Sequence, residues 1–217
     1  MPPRLRWAEK SLQLCAPDEP SLALDFINLA LDDEYGLRHL PRKPRRVVDV
    51  GANIGLFSLL TKLFFPEAIV HAYEPNPRAA VFAVKNLQTA GVTLFNEALG
   101  SEFGSALIQD NSDSLLATTK FDGQINSGIP VIPLSEAVRR IGGEIDLLKL
   151  DCEGAEWSIF KDVAAFQHFR LVRMEYHLTC GRTVEDLECT AQDLGFEVDR
   201  VLRNQQFGIV WLVRRSN

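Results

Sequence analysis

Arg46-Val47-Val48-Asp49-Val50-Gly51-Ala52-Asn53-Ile54-Gly55-Leu56-Phe57-Ser58 is the stretch that decides the fold. An apolar run rich in β-branched valines breaks at paired glycines and then resumes with a helical apolar pattern, which reads as strand, tight loop and helix start. A glycine turn there can bring backbone N–H groups and a helix N-terminus close to a ligand with no Cβ in the way. The spacing is Gly-x-x-x-Gly, whereas a dinucleotide fingerprint is Gly-x-Gly-x-x-Gly. Position 53 is Asn and the third glycine is absent, which counts against a nicotinamide-dependent oxidoreductase.

Working outward, Ala68-Ile69-Val70-His71-Ala72-Tyr73-Glu74 reads as a second strand that ends in an acid and is stopped by Pro75. A carboxylate in that place can accept hydrogen bonds from two ribose hydroxyls, which points to a nucleoside-bearing ligand. Thr93-Leu94-Phe95-Asn96-Glu97-Ala98-Leu99-Gly100 places polar residues at a third strand end, where an adenine edge could be read. A fourth strand, Glu144-Ile145-Asp146-Leu147-Leu148-Lys149-Leu150, runs into the carboxylate cluster Asp151-Cys152-Glu153-Gly154-Ala155-Glu156.

These motifs together resemble the FkbM family of S-adenosylmethionine-dependent methyltransferases. The resemblance rests on Asp49-Val50-Gly51-Ala52-Asn53-Ile54-Gly55, Tyr73-Glu74-Pro75-Asn76, Asn96-Glu97-Ala98-Leu99-Gly100 and above all Leu148-Lys149-Leu150-Asp151-Cys152-Glu153-Gly154-Ala155-Glu156, and it runs from residue 34 to 177. Cys152 stands where the family pattern has an aliphatic residue. The resemblance implies a class I methyltransferase fold, S-adenosylmethionine as methyl donor and a hydroxyl of a small molecule or sugar as acceptor. It also implies cofactor contacts at Asp49, Gly51, Ala52, Asn53, Gly55, Glu74, Glu97, Ala98 and Asp151.

The chain has 217 residues, 46% hydrophobic and 24% charged, which suits one globular domain with an ordinary core. Its net charge of -6 argues against affinity built on neutralising phosphates, so no nucleic-acid partner is expected. The basic residues Arg38, Arg42, Lys43, Arg45 and Arg46 alternate with prolines ahead of the first strand and read as a solvated linker or a contact for an anion. Cys15, Cys152, Cys180 and Cys189 are too widely spaced for a disulfide framework or a zinc site. No segment has the length and apolarity of a signal peptide or a membrane span, so a soluble, cytoplasmic protein with no membrane partner is expected.

Residues 1–45 read as a helical extension built on Leu22-Ala23-Leu24-Asp25-Phe26-Ile27-Asn28-Leu29-Ala30-Leu31, and residues 46–217 as the methyltransferase domain. In the domain, strands are expected at 46–50, 69–74, 93–98, 145–151 and 171–176, and helices at 54–64, 77–90, 153–166 and 183–194. A short helix from Leu134 follows a less regular stretch. Strands at 196–203 and 207–214, joined through Asn204-Gln205-Gln206, close the chain as a hairpin. Such alternation predicts an α/β fold: a mostly parallel, Rossmann-like sheet with helices on both faces and an antiparallel edge from the hairpin.

In such sheets ligands bind beyond the carboxyl ends of the strands. Asp49, Gly51, Glu74, Glu97, Asp151 and His177 all fall there. Asp151 and Glu153 are candidates to face the sulfonium or the acceptor hydroxyl, and Asp151 is equally suited to capping the next helix. His177 can take a proton near neutrality or serve as a structural hydrogen-bonding group. With Glu175, these three could instead hold a divalent ion such as Mg2+. Asp151-Cys152-Glu153-Gly154 lacks the Asn/Asp-Pro-Pro-aromatic pattern suited to methylating exocyclic base nitrogens, which disfavours a nucleic-acid methyltransferase. A catalytically silent adenosyl-binding module is the remaining rival.

Overall fold

The computed structural model describes residues 1–109, 118–122, 128–203 and 206–215. In chain order it runs β1 (Arg4–Trp7), β2 (Lys10–Gln13), α1 (Ser21–Phe26), β3 (Arg46–Val50), α2 (Leu56–Phe64), β4 (Ile69–Tyr73) and α3 (Pro77–Gln88). β5 (Thr93–Phe95), β6 (Ala98–Gly100), β7 (Gly104–Gln109), β8 (Thr118–Asp122), β9 (Ile129–Pro133), α4 (Leu134–Ile141) and β10 (Ile145–Leu150) follow. The chain ends with α5 (Glu156–Ile159), α6 (Val163–Phe166), β11 (Phe169–His177), α7 (Val184–Asp193), β12 (Phe196–Arg203) and β13 (Phe207–Arg214).

The main sheet has the order β12-β13-β11-β10-β3-β4-β5. β5, β4, β3, β10 and β11 are mutually parallel, and β13 lies antiparallel between β11 and β12. The antiparallel strand is thus one place in from the edge, which β12 occupies. The hairpin strands have their expected limits; residues 204–205 of the expected turn lie outside the described residues.

Register explains both cores. Val47, Leu147 and Leu171 share one rung and face α2, α3 and the N-terminal segment, while Val48, Leu148 and Val172 share the next and face α4 to α7. Strands covered on both faces need apolar residues at every position, which is why β3 and β10 read as nearly continuous apolar runs. The next rung breaks the rule by pairing Asp49, Lys149 and Arg173, all buried. Helix starts obey local chemistry: Asn76 caps α3 through the amide of Arg78 with Pro77 at the first position, and Thr183 and Asp186 form a capping box on α7.

Three expectations change. The N-terminal segment is not purely helical: β1 and β2 form a hairpin, and α1 passes into a π-helical turn at Ile27–Leu31. The strand expected at 93–98 breaks at Asn96-Glu97, and β6 leaves to join β9, β7 and β8 in a second sheet within the stretch read as irregular. No single helix spans 153–166; two short ones, α5 and α6, take its place. Glu153 and Gly154 have φ of 53° and 96°, outside helical space, and the Asp162 carboxylate accepts the Ser135 amide where α5 and α6 part. The basic linker keeps Arg38, Arg42, Lys43 and Arg45 exposed, as expected, while Asp146 anchors its backbone by accepting the amides of Arg45 and Arg46 and pairs with Arg42 at 3.6 Å. No helix among the described residues is long and apolar enough to cross a membrane.

Candidate active site

A cleft of about 810 Å3, counted to its open mouth, lies beyond the carboxyl ends of β3, β4 and β10. Its lining includes Gly51, Ala52, Asn53, Glu74, Glu97, Ala98, Asp151 and Glu153, which the sequence singles out, together with Asp25, Leu29, Tyr73, Asn76 and Lys149. Asp49, Gly55 and His177 are not among the lining residues.

The loop after β3 serves the protein rather than pointing its amides outward. The amides of Gly51 and Ala52 both donate to the Tyr73 carbonyl at 3.0 Å, and that of Asn53 donates to Glu74 Oε2 at 2.6 Å. Gly51 has φ of 72°, and a Cβ there would come within 1.6 Å of the Asp151 carbonyl oxygen; at Gly55 it would meet Leu87 at 2.8 Å. Chain packing alone therefore demands glycine at both positions, whatever a ligand adds.

Glu74 also accepts the Asn76 amide on Oε1 at 2.6 Å, so two backbone donors fix the plane of its carboxylate. Burial pushes its pKa up to about 7, against the pull of those amides. Glu97 receives both terminal nitrogens of Arg140, whose guanidinium stacks on Phe95 at 4.9 Å. Ala98 packs beside it as the first residue of β6.

The opposite end of the cleft centres on Lys149, a residue the motif reading passed over. Its ammonium donates to the Gly51 carbonyl at 2.6 Å and stands 3.2 Å from Asp151 Oδ2 and 3.5 Å from Asp49 Oδ1. Burial acts to lower its pKa, but Asp151 and Asp49 outweigh it and raise the pKa well above the ordinary value. Asp49 is fully buried beneath the cleft and bonded to Ser58 Oγ at 2.6 Å; it is the counter-ion across the strand rung rather than a cleft residue.

Asp151 does not cap a helix: Ala155 precedes α5, without a side-chain cap. Its carboxylate accepts from Tyr35 Oη at 3.0 Å and from Lys149, and hydrogen bonds to Glu175. Burial opposes ionisation, yet Lys149 and these bonds hold Asp151 below the usual carboxylate range, while burial and the Asp151 charge push Glu175 up to about 10. Asp151 is the ionised member of the pair and Glu175 the protonated one.

Glu153 projects from a left-handed backbone into the cleft, 3.4 Å from His177 Nε2. Burial, then the Asp151 charge, pushes it up to about 7, with His177 pulling the other way. Burial acts to lower the pKa of His177, but Glu156, 3.4 Å from Nδ1, and Glu153 raise it. Glu156 Oε1 accepts the amides of Cys152 and Gly154, so the last acid of the motif folds the loop back on itself.

Among the described residues no three His, Cys, Asp or Glu side chains are grouped to hold a metal ion. The expected set of Asp151, Glu153, Glu175 and His177 is divided: Asp151 and Glu175 bind each other, and Glu153 pairs with His177.

The methyltransferase FkbM domain matches residues 49–207. The chain belongs to the FkbM methyltransferase family. Methyltransferase sdnD of Sordaria araneosa is 30% identical over 209 residues, covering 78% of this chain and 80% of that one. Methyltransferase 1 of Beauveria bassiana (strain ARSEF 2860) is 27% identical over 168 residues, covering 64% and 67%. The solved structure of StiE O-MT shares the fold with a TM-score of 0.55 at 10% identity, covering 92% of this chain and 79% of that one. This FkbM protein is thus an S-adenosylmethionine-dependent class I methyltransferase.

The cleft fits that cofactor on its own terms. Glu74 keeps free lone pairs on both oxygens for ribose hydroxyls, and Asn76 Nδ2 is buried at the cleft without a hydrogen-bond partner. Sequence reasoning missed Lys149, Tyr35, Asp25 and the loop-closing role of Glu156. A charge inside an apolar run, as in Leu147-Leu148-Lys149-Leu150 and Leu22-Ala23-Leu24-Asp25-Phe26, was the available signal for two of them.

Proposed function

We propose that this methyltransferase acts on the hydroxyl of a small molecule, with Glu153 taking the proton. The observation that carries the reading is Glu153 itself: a carboxylate on the cleft wall, raised to about 7 and so matched to proton transfer near neutrality. Glu74, Asn76, Glu97 and Ala98 would hold the nucleoside end of S-adenosylmethionine. When bound, that cofactor supplies an activated methyl group for in-line displacement. The protein's task is then alignment, a proximity effect of roughly 7–11 kcal/mol, and removal of one proton. His177 acts through Glu153 as a positioning residue, because the histidine lies outside the cleft.

Two features favour a small acceptor over a nucleic acid. Asp25 and Leu29 of the N-terminal segment wall the cleft, and Asp25, Glu74, Glu97, Asp151 and Glu153 line it against Lys149, whose charge is already paired. A phosphate backbone meets repulsion there. The test is transfer of a labelled methyl group from S-adenosylmethionine to a panel of alcohols, phenols, sugars and amines, read by mass spectrometry. Methyl ethers as the main products support the reading, whereas methylation confined to amines overturns it.

A further inference from the structure

The N-terminal segment lies ahead of residue 49, where the family match begins, yet it reaches the cleft at two points one helical turn apart. Asp25 is on α1 and Leu29 on the π-helical turn, and both line the wall of the cleft that also holds Asp151 and Glu153. The other carboxylates of the cleft are engaged. Glu74 holds two amides, Glu97 holds Arg140, Asp151 holds Lys149 and Tyr35, and Glu153 faces His177. Asp25 alone among them makes no hydrogen bond or ion pair with the described residues, although it is close enough to Asp151 and Lys149 for their charges to act on it.

A carboxylate placed in a cleft without a protein donor is costly to desolvate unless a ligand supplies that donor. Leu29, four residues on, is buried and adds an apolar contact beside it. We propose that Asp25 is the acceptor-reading residue of this enzyme. It accepts a hydrogen bond from a second donor group, a hydroxyl or an amine, carried by the acceptor beside the group that is methylated. The acceptor class is a diol or amino alcohol with an apolar body that rests on Leu29. The inference rests on the methyltransferase reading of the cleft, but not on which atom of the acceptor receives the methyl group.

The experiment uses the full chain and matched probes: catechol with phenol, trans-cyclohexane-1,2-diol with cyclohexanol, and 2-aminocyclohexanol with cyclohexylamine. Each is scored for methyl transfer and, on protein saturated with S-adenosylhomocysteine, for binding by calorimetry. Measured above about pH 8, where Asp25 is ionised, wild-type protein is expected to prefer the two-donor member of each pair by about tenfold or more, the size of one hydrogen bond to a charged group. Asp25→Asn should erase most of that preference through the acceptor KM while leaving S-adenosylhomocysteine affinity unchanged, and Leu29→Ala should weaken both members of each pair alike. Wild-type protein that does not distinguish the pairs, or an Asp25→Asn variant that keeps the preference, overturns the proposal. Transfer only to the amine nitrogens would refute the hydroxyl reading and still score Asp25 by the same comparison.

Discussion

The ammonium of Lys149 lies 2.6 Å from the carbonyl oxygen of Gly51, joining the end of β10 to the loop that follows β3. The same nitrogen stands between Asp151 and Asp49, so one buried cation ties the loop after β3 to two carboxylates in a single arrangement. Lys149→Met removes the cation and leaves two carboxylates buried. It is expected to cost about 3–5 kcal/mol in urea denaturation, with loss of activity at temperatures where the variant is still folded. A loss below about 1 kcal/mol would show that Lys149 is not the keystone of this network.

Gly51→Ala should fail for a reason internal to the fold. Its Cβ would drive into the Asp151 carbonyl, and its φ of 72° is unfavourable for alanine, so stability should fall by more than about 2 kcal/mol with no ligand present. Gly91 is the control: it has φ of 68° with nothing within 4 Å of an added Cβ, so Gly91→Ala pays only the backbone term. Equal melting temperatures for the two variants would contradict the packing argument.

Glu74→Gln keeps the shape of the side chain but can accept only through one oxygen. S-Adenosylhomocysteine affinity should fall at least tenfold, in line with a lost charge-assisted bond of roughly 1.5–3 kcal/mol. Since Glu74 is raised to about 7, wild-type affinity should tighten as the pH rises through that value. Calorimetry of the Gln variant should give an affinity without this pH dependence.

The ligand-free protein should lose stability as pH rises from the ordinary carboxylate range towards 7. Asp25, Glu34, Glu74 and Glu153 each have a pKa raised to about 7, with burial the first cause. Raised groups hold protons in the native state that the unfolded chain has already released, so their contribution is full below the unfolded pKa and is lost through the folded one. His177, raised by Glu156 and Glu153 against burial, acts in the same sense, while His71, lowered first by burial, opposes it. Denaturation midpoints should therefore be higher near about pH 5.5 than near about pH 8.5, and Asp25→Asn with Glu153→Gln should flatten the difference. A midpoint that rises steadily over this interval would reverse the sign of the argument.

The order and type of the sheet elements were legible because burial on both faces forces apolar runs on β3, β4, β10 and β11, and glycines or prolines punctuate them. The second sheet was hidden: β6 has only three residues, and its pairing with β9 is non-local. Glu74 was legible as a cleft residue because it directly follows β4, whose carboxyl end opens on the cleft. Asp49 misled, since a strand-end acid in sequence can equally be the buried partner of a lysine on the adjacent strand, and only register reveals Lys149 across the rung. Tyr35 and Asp25 were invisible as site residues because they are brought to Asp151 and the cleft over more than a hundred residues of chain.

The pH–rate profile separates the proton acceptor from the residue that orients it. With Glu153 raised to about 7, wild-type kcat/KM should climb as pH rises through that value and then level off. Glu153→Gln carries no titrating group at the same left-handed position, so the rise should vanish and the plateau should drop by roughly 10²–10⁴-fold. His177→Gln should behave differently. The imidazolium 3.4 Å from Glu153 Oε2 helps to hold the carboxyl ionised, so its loss should move the midpoint to higher pH while the high-pH plateau stays near the wild-type value. A plateau that collapses in His177→Gln as it does in Glu153→Gln would make the histidine the base; a profile unchanged in both would move proton removal elsewhere in the cleft.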